Sequence, residues 1–193
     1  MPLEKKITLN DAKIAIWSVE ESLEELLKLC GNPKLSQFKT NKRKKEFLSI
    51  RLLLKNLLPN NKIWHNTYGA PEIGNDNFIS ISHSNKVTAI IVSKKKVGLD
   101  IEKISKKPLK LSAKFINKEF HNPISEEKAT LIWSCKEAIF KWHQKGNVNF
   151  LLDIQIMPFT IKNKGDIIAK FKQNKITLHY QRINTHFLVY VCN

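Results

Sequence analysis

The chain has 193 residues, 42% of them hydrophobic, enough to bury a sizeable core as one domain or two small fused lobes, which excludes a peptide-sized module. Its formal net charge of +16 predicts attraction to something polyanionic, whether nucleic acid, a lipid surface, a nucleotide or an acidic protein, the alternative being a Lys-rich bias that only solubilises the surface. Cys30, Cys135 and Cys192 are odd in number, far apart and outside any zinc-ligand spacing, so they read as free thiols in a reducing cytosol. No apolar leader follows Met1, and no apolar run approaches the roughly 20 residues of a membrane helix. The expectation is a soluble cytoplasmic protein without a membrane span.

Residues 7–17 alternate loosely between apolar and polar and predict an opening strand. A helix follows over 22–29. A second, over 41–58, has a basic start and an apolar face of Phe47, Ile50, Leu54 and Leu57, and Pro59 ends it. The turn-rich stretch 63–77 reads as a connecting loop. Strand pattern resumes at 78–82, and 87–93 with 97–101 predicts a hairpin turned by Lys94, Lys95 and Lys96. The second half predicts a helix around 109–115 and a firm helix over 126–144, stopped by Gly146 and Asn147. Closing strands fall near 154–161, 167–171, 176–180 and 186–192. Mixed helix and strand without regular βαβ alternation indicate an antiparallel α+β fold, with a first lobe over 1–97 and a second over 98–193.

Asp100 and Glu102, two apart at a strand end, point to one face. Two acids so placed are tolerated when a cation lies between them, and oxygen ligands suit magnesium; taken alone, the pair reads first as an ordinary solvated strand end. Trp133, Glu137 and Lys141 share one helix face. The Glu-Lys pair is a common helix stabiliser, but its apolar neighbours place it in a partly enclosed setting. Ser82 and His83 lie where a strand runs into a turn, without the glycines of a nucleophile elbow.

Together these elements resemble the Sfp-type 4'-phosphopantetheinyl transferase family. The resemblance runs from about 41 to 150 and rests on KRKKEFLSIRLLLK at 42–55, ISISHS at 79–84, VGLDIE at 97–102 and WSCKEAIFK at 133–141, in that order. It implies two similar antiparallel α+β lobes related by a pseudo-twofold axis, with the active site in the cleft between them. It implies that Asp100, Glu102 and Glu137 bind Mg2+ and that coenzyme A donates its 4'-phosphopantetheine arm to a serine of an apo acyl or peptidyl carrier protein, releasing adenosine 3',5'-bisphosphate. Glu137 is the implied general base, and Lys141 contacts the phosphates and neutralises the leaving group. Ser82 and His83 match the coenzyme-binding motif, and Arg43, with Lys42 as the second choice, would meet the same 3'-phosphate as His83. Arg51 matches a further family arginine.

One departure is Gly69-Ala70-Pro71, where many members carry a Gly-Lys-Pro whose lysine lies near the phosphates. An acidic carrier gives the +16 charge a specific partner. The alternatives are a basic nucleic-acid-binding protein, the less favoured partner because Trp133 and Trp142 sit in an apolar helix, and a relative that binds a carrier without catalysis.

Overall fold

The structure, a computed structural model, describes residues 5–193 apart from 32, 118 and 120. Strands β1 (Lys5–Thr8) and β2 (Ala12–Ser18) form a hairpin with Ile7 opposite Ile14. The single strand expected over 7–17 is thus two. Asn10 and Asp11 break it, and the Leu9 amide closes the turn on the Ala12 carbonyl at 2.8 Å. Helix α1 (Leu23–Cys30) starts on a capping box between Ser22 and Glu25 and ends on Gly31, whose φ of 72° suits a left-handed cap. Thr40 caps α2 (Asn41–Leu57), its Oγ1 accepting the Arg43 amide. Leu48, Leu52, Leu53 and Leu57 are buried on this helix, which packs on β2 and on β6 (Val87–Ser93).

The predicted loop at 63–77 contains a small hairpin of β3 (Trp64–His65) and β4 (Pro71–Glu72). Strand β5 (Phe78–Ser84) turns into β6 through Asn85 and Lys86, at φ 44° and 69°, the backbone a tight two-residue hairpin requires. The first sheet has the order β1-β2-β6-β5 with antiparallel neighbours. Strand β7 (Val97–Lys103) does not join it. The hairpin expected between β6 and β7 is absent because β2 and β5 already occupy both edges of β6, so Lys94–Lys96 carry the chain across to a second sheet.

That second sheet has the order β7-β11-β10-β9-β8, built from β8 (Ile154–Ile156), β9 (Lys164–Phe171), β10 (Asn174–Ile183) and β11 (His186–Cys192). The helix expected around 109–115 begins earlier, as α3 (Lys106–Lys110), followed by a 3-10 turn at Ser112–Lys114. Helix α4 (Glu126–His143) is capped by Ser125, with Glu126 and Glu127 complementing its positive end. Its stop is Gln144, at φ 64°, rather than Gly146.

The alternation of each strand explains the layering. In β2, Ala15 and Trp17 face α1 and α2, whereas Ile14 and Ile16 face the second sheet and meet Leu99, Ile101 and Leu188. In β11, Phe187, Val189 and Val191 turn the other way, onto Leu131, Cys135 and Ile139 of α4. The result is helix, sheet, sheet, helix. Both sheets repeat one order of assembly, a strand, a long helix and a hairpin whose last strand pairs back on the first: β2, α2, β5-β6 and β7, α4, β10-β11.

Candidate active site

Strands β5 and β7 are the edges of their sheets, and they lie side by side. An edge strand exposes unpaired amides and carbonyls. Here serines at alternate positions of β5 satisfy two of the β7 amides. Ser80 Oγ accepts the Leu99 amide at 2.9 Å, and Ser84 Oγ accepts the Lys103 amide at 3.1 Å. The same row reaches the acids, Ser82 Oγ donating to Asp100 Oδ1 at 2.8 Å and Ser84 Oγ to Glu102 Oε2 at 2.8 Å. The alternation that fixes these serines on one face of β5 turns Ile79 and His83 to the other, toward α2.

On β7 the positions 98, 100 and 102 share the face covered by α4. Gly98 has no side chain, and a Cβ there would meet the Ala138 carbonyl oxygen at 2.0 Å. The helix therefore sits directly on the strand backbone, which brings the next turn over Asp100. Lys141 Nζ donates to Asp100 Oδ1 at 2.7 Å and lies 3.0 Å from Ser82 Oγ. Asp100 is 2% exposed, and its Oδ2 is buried without a hydrogen-bond partner.

Burial pushes Glu137 up to about 7, and the nearby negative charges of Asp100 and Glu102 add to it while Lys141 opposes it. Glu102 is raised by burial and then by Asp100, with the Ser84 hydrogen bond and Lys141 acting against that. Three acids thus share a partly buried corner with one lysine. Among the described residues, no group of three or more His, Cys, Asp and Glu side chains is arranged as a finished metal cage. The donor set is nevertheless all carboxylate oxygen, and Asp100 Oδ2 is an orphaned one. A hard cation fits both facts.

These side chains line one end of a cleft of about 790 Å³, within the roughly 300–1,000 Å³ typical of small-molecule sites. Its other end lies against α2. There Arg43 Nη1 is 3.1 Å from Glu46 Oε2 and 3.3 Å from His83 Nε2, and His83 Nδ1 is 3.4 Å from Glu46 Oε1. Burial lowers the His83 pKa; Glu46 works against this, and Arg43, Lys141 and Lys42 reinforce it. Arg51 also lines the cleft, its guanidinium 3.2 Å from the centre of the Phe47 ring. The walls include Trp133 and Phe140, each packed against Phe150.

Of the residues singled out in the sequence, Arg43, Arg51, Ser82, His83, Asp100, Glu102, Glu137 and Lys141 line this cleft, whereas Lys42 does not. Asp100, Glu102, Glu137, Lys141 and Ser82 form the acidic corner, and Arg43 and His83 form the basic end. Ser82 stands with the acids, its hydroxyl committed to Asp100. Lys42 reaches Glu46 at 4.0 Å. Ala70 lines the cleft too, as do the basic side chains of Arg43, Arg51, Lys141, His65 and His83.

Residues 96–192, half of the chain, match the model of the 4'-phosphopantetheinyl transferase superfamily. The chain belongs to that superfamily. The matched stretch runs from β7 to β11 and contains Asp100, Glu102, Glu137 and Lys141, while Arg43, Ser82 and His83 lie outside it. The chain is also similar to the 4'-phosphopantetheinyl transferase gsp of Aneurinibacillus migulanus, at 29% identity over 127 residues, 61% of this chain and 52% of that protein. It spans about half the length of that relative.

Three residues that build this transferase-family site, Glu46 on the cleft wall and Gly98 and Ser84 behind it, were not singled out in the sequence. Gly98 was passed over although it precedes the acids at the same period of two, the spacing that makes it the contact point for α4. Ser84 was passed over although it extends the Ser80, Ser82 alternation. Glu46 follows Arg43 by three positions, the spacing of helix-face neighbours, and was read only as part of a basic helix. Among the described residues no helix is long and apolar enough to cross a membrane.

Proposed function

We propose that this chain transfers the 4'-phosphopantetheine arm of coenzyme A to a serine of an acidic apo acyl or peptidyl carrier protein, as a cytoplasmic holo-carrier synthase. The observation that carries the reading is the joining, in one cleft, of a partly buried three-carboxylate corner to a separate basic end. Coenzyme A is a molecule with two kinds of phosphate, a bridging pyrophosphate and a 3'-phosphomonoester. Such a substrate needs two anion-handling sites some distance apart.

Asp100, Glu102 and Glu137 would hold Mg2+ in this reading. When bound, the ion supplies electrostatic stabilisation for the charge on the pyrophosphate oxygens. The chain's own groups do the rest. Glu137, directly or through water, is placed to take the proton of the carrier serine as its Oγ attacks phosphorus. The new P–O bond joins the pantetheine phosphate to serine, and the bond to adenosine 3',5'-bisphosphate breaks. Lys141, kept in place by Asp100 and Ser82, neutralises that leaving group. Arg43 and His83 anchor the 3'-phosphate away from the chemistry.

The same reading divides the chain into lobes over 1–97 and 98–193, related by a pseudo-twofold axis, with the cleft between them. The repeated order of strand, helix and hairpin supports that division. The +16 charge supports an acidic protein partner, whose encounter would weaken with salt.

The test is incubation with coenzyme A, Mg2+ and a panel of apo-carriers, read by intact mass. The expected result is a gain of one phosphopantetheine per carrier, lost when Mg2+ is chelated and lost in Glu137→Gln and Asp100→Ala. Near-normal transfer by both variants refutes the site assignment. Binding of coenzyme A with no mass gain on any carrier refutes catalysis.

A further inference from the structure

The acid at the basic end of the cleft has no role in the chemistry above. Glu46 projects from the first turns of α2, and its side chain is 12% exposed, whereas Arg43 beside it is 63% exposed. Its two oxygens are divided between partners: Oε2 faces Arg43 Nη1, and Oε1 faces His83 Nδ1 and Lys42. A carboxylate in a site that otherwise gathers cations needs a reason, since it repels the anion those cations would take.

The geometry of His83 supplies one. Arginine has donors only, so the His83 Nε2 that lies 3.3 Å from Arg43 Nη1 is the acceptor of that pair. The ring proton is then on Nδ1, and Glu46 Oε1 lies 3.4 Å from that nitrogen, an ion-pair contact that strengthens when the ring is charged. Glu46 therefore touches both partners at once, the Nδ1 side of the ring and the arginine fork whose Nη1 meets Nε2. We propose that Glu46 is a positioning residue for a phosphomonoester subsite: it anchors His83 through Nδ1 and so presents Nε2, together with Arg43, to the anion. This rests on the coenzyme A reading given above.

The other groups facing His83 agree with such a role. Lys42 and Arg43 approach it from α2 and Lys141 from α4, so its surroundings are positive apart from Glu46. When a phosphomonoester enters, a proton gained on Nε2 gives the sequence carboxylate, imidazolium, phosphate, in which charges alternate. Without Glu46 the same imidazolium would have cations on its remaining sides. The first turn of α2 adds the favourable end of its dipole.

Two measurements on the full chain test this. Histidine 15N NMR of the ligand-free protein at pH 7.5 should find neutral His83 protonated on Nδ1, and protonation on Nε2 overturns the proposal. Affinities for coenzyme A and for 3'-dephospho-coenzyme A, by calorimetry, give the second arm. The wild-type chain should prefer coenzyme A, and Glu46→Ala should lose about tenfold of that preference, the worth of one charge-assisted hydrogen bond. Glu46→Gln, which keeps an oxygen for Nδ1–H, should hold most of it. If both variants instead bind coenzyme A more tightly, Glu46 only repels anions and the proposal fails. A wild-type chain that binds neither compound refutes the coenzyme A reading and the inference with it, while the tautomer measurement still judges Glu46 and His83 separately.

Discussion

Gly98 and Ala138 touch so closely that a Cβ on the glycine would lie 2.0 Å from the alanine's carbonyl oxygen, with the Trp142 backbone nitrogen and Cβ each at 2.7 Å. Backbone atoms block the site, so no rotamer change can relieve the overlap. Strand β7 and helix α4 would have to separate. Glu137 lies one residue before Ala138 and Lys141 three after, so separation also pulls apart the acidic corner. Gly98→Ala should cost at least about 3 kcal/mol of stability, the upper range for overpacking. In the fraction that folds, transfer should fall about a hundredfold, since a displacement near 1 Å costs that much in a positioned site. Thermal melting and a carrier assay check both; a variant with an unchanged melt and full transfer contradicts the contact.

Glu137 makes stability depend on pH in the direction opposite to most carboxylates. Its folded-state pKa is raised from 4.5 to about 7, so the folded chain holds the proton more tightly than the unfolded one. The stabilisation is fully present below about pH 4.5 and is lost as pH rises through 7. That rise corresponds to something on the order of 3 kcal/mol. With divalent cations removed by chelator, the melting temperature should fall from pH 5.5 to pH 8, and Glu137→Gln should flatten that fall. Adding Mg2+ at pH 8 should restore stability to the wild-type chain only, because the cation favours the ionised acid. Equal slopes in the two proteins would sink the assignment.

Local patterns made much of this legible before the fold was known. Period two placed Asp100 and Glu102 on one face, and period four placed Glu137 with Lys141, and both relations hold in the folded chain. What local pattern does not encode is which edges of a strand are free. Strands β6 and β7 look like a hairpin because they adjoin in sequence, yet β6 already has two partners and β7 pairs with β11, more than 80 residues later. For the same reason the sequence does not reveal that the Ser82 hydroxyl donates to Asp100, on a strand of the other sheet. A serine's partner across two sheets is set by tertiary packing, not by its neighbours in sequence.

Lys136 illustrates the same limit and gives a separate prediction. It sits beside Glu137 in the chain but points away from the cleft and is 3% exposed. Its Nζ donates to the carbonyls of Phe150 and Ile154. Burial lowers its pKa to about 8, and no carboxylate is among its hydrogen-bond partners. A base with a depressed pKa contributes stability above its unfolded value near 10.5, and that contribution is lost as pH falls through 8. Its two bonds hold the segment after α4, whose Phe150 ring supports Trp133 and Phe140. Lys136→Met keeps the length of the side chain and leaves both carbonyls without this donor, at about 1–3 kcal/mol each. The expected result is a melt lowered by several degrees. Transfer should fall far less than in Glu137→Gln. A loss of transfer equal to that of Glu137→Gln, at an unchanged melt, would instead place Lys136 in the chemistry.

Asp100 and Glu137 are coupled through Lys141, and that coupling can be read directly. Asp100 Oδ1 holds the lysine at 2.7 Å, while the charge of Asp100 is the second cause, after burial, of the raised Glu137. Asp100→Asn removes the repulsive charge and also releases Lys141, which lies one helical turn from Glu137 on the same face. Both changes favour the ionised form of Glu137. Its titration midpoint, followed by the side-chain carboxyl 13C shift, should therefore move down from about 7 toward the ordinary carboxylate range. Ser82→Ala removes a neutral hydroxyl from the same oxygen and leaves the Asp100 charge in place, so its effect on that midpoint should be small. An Asp100→Asn midpoint that stays near 7 would mean that burial alone raises Glu137, and that the acids do not act as one cluster.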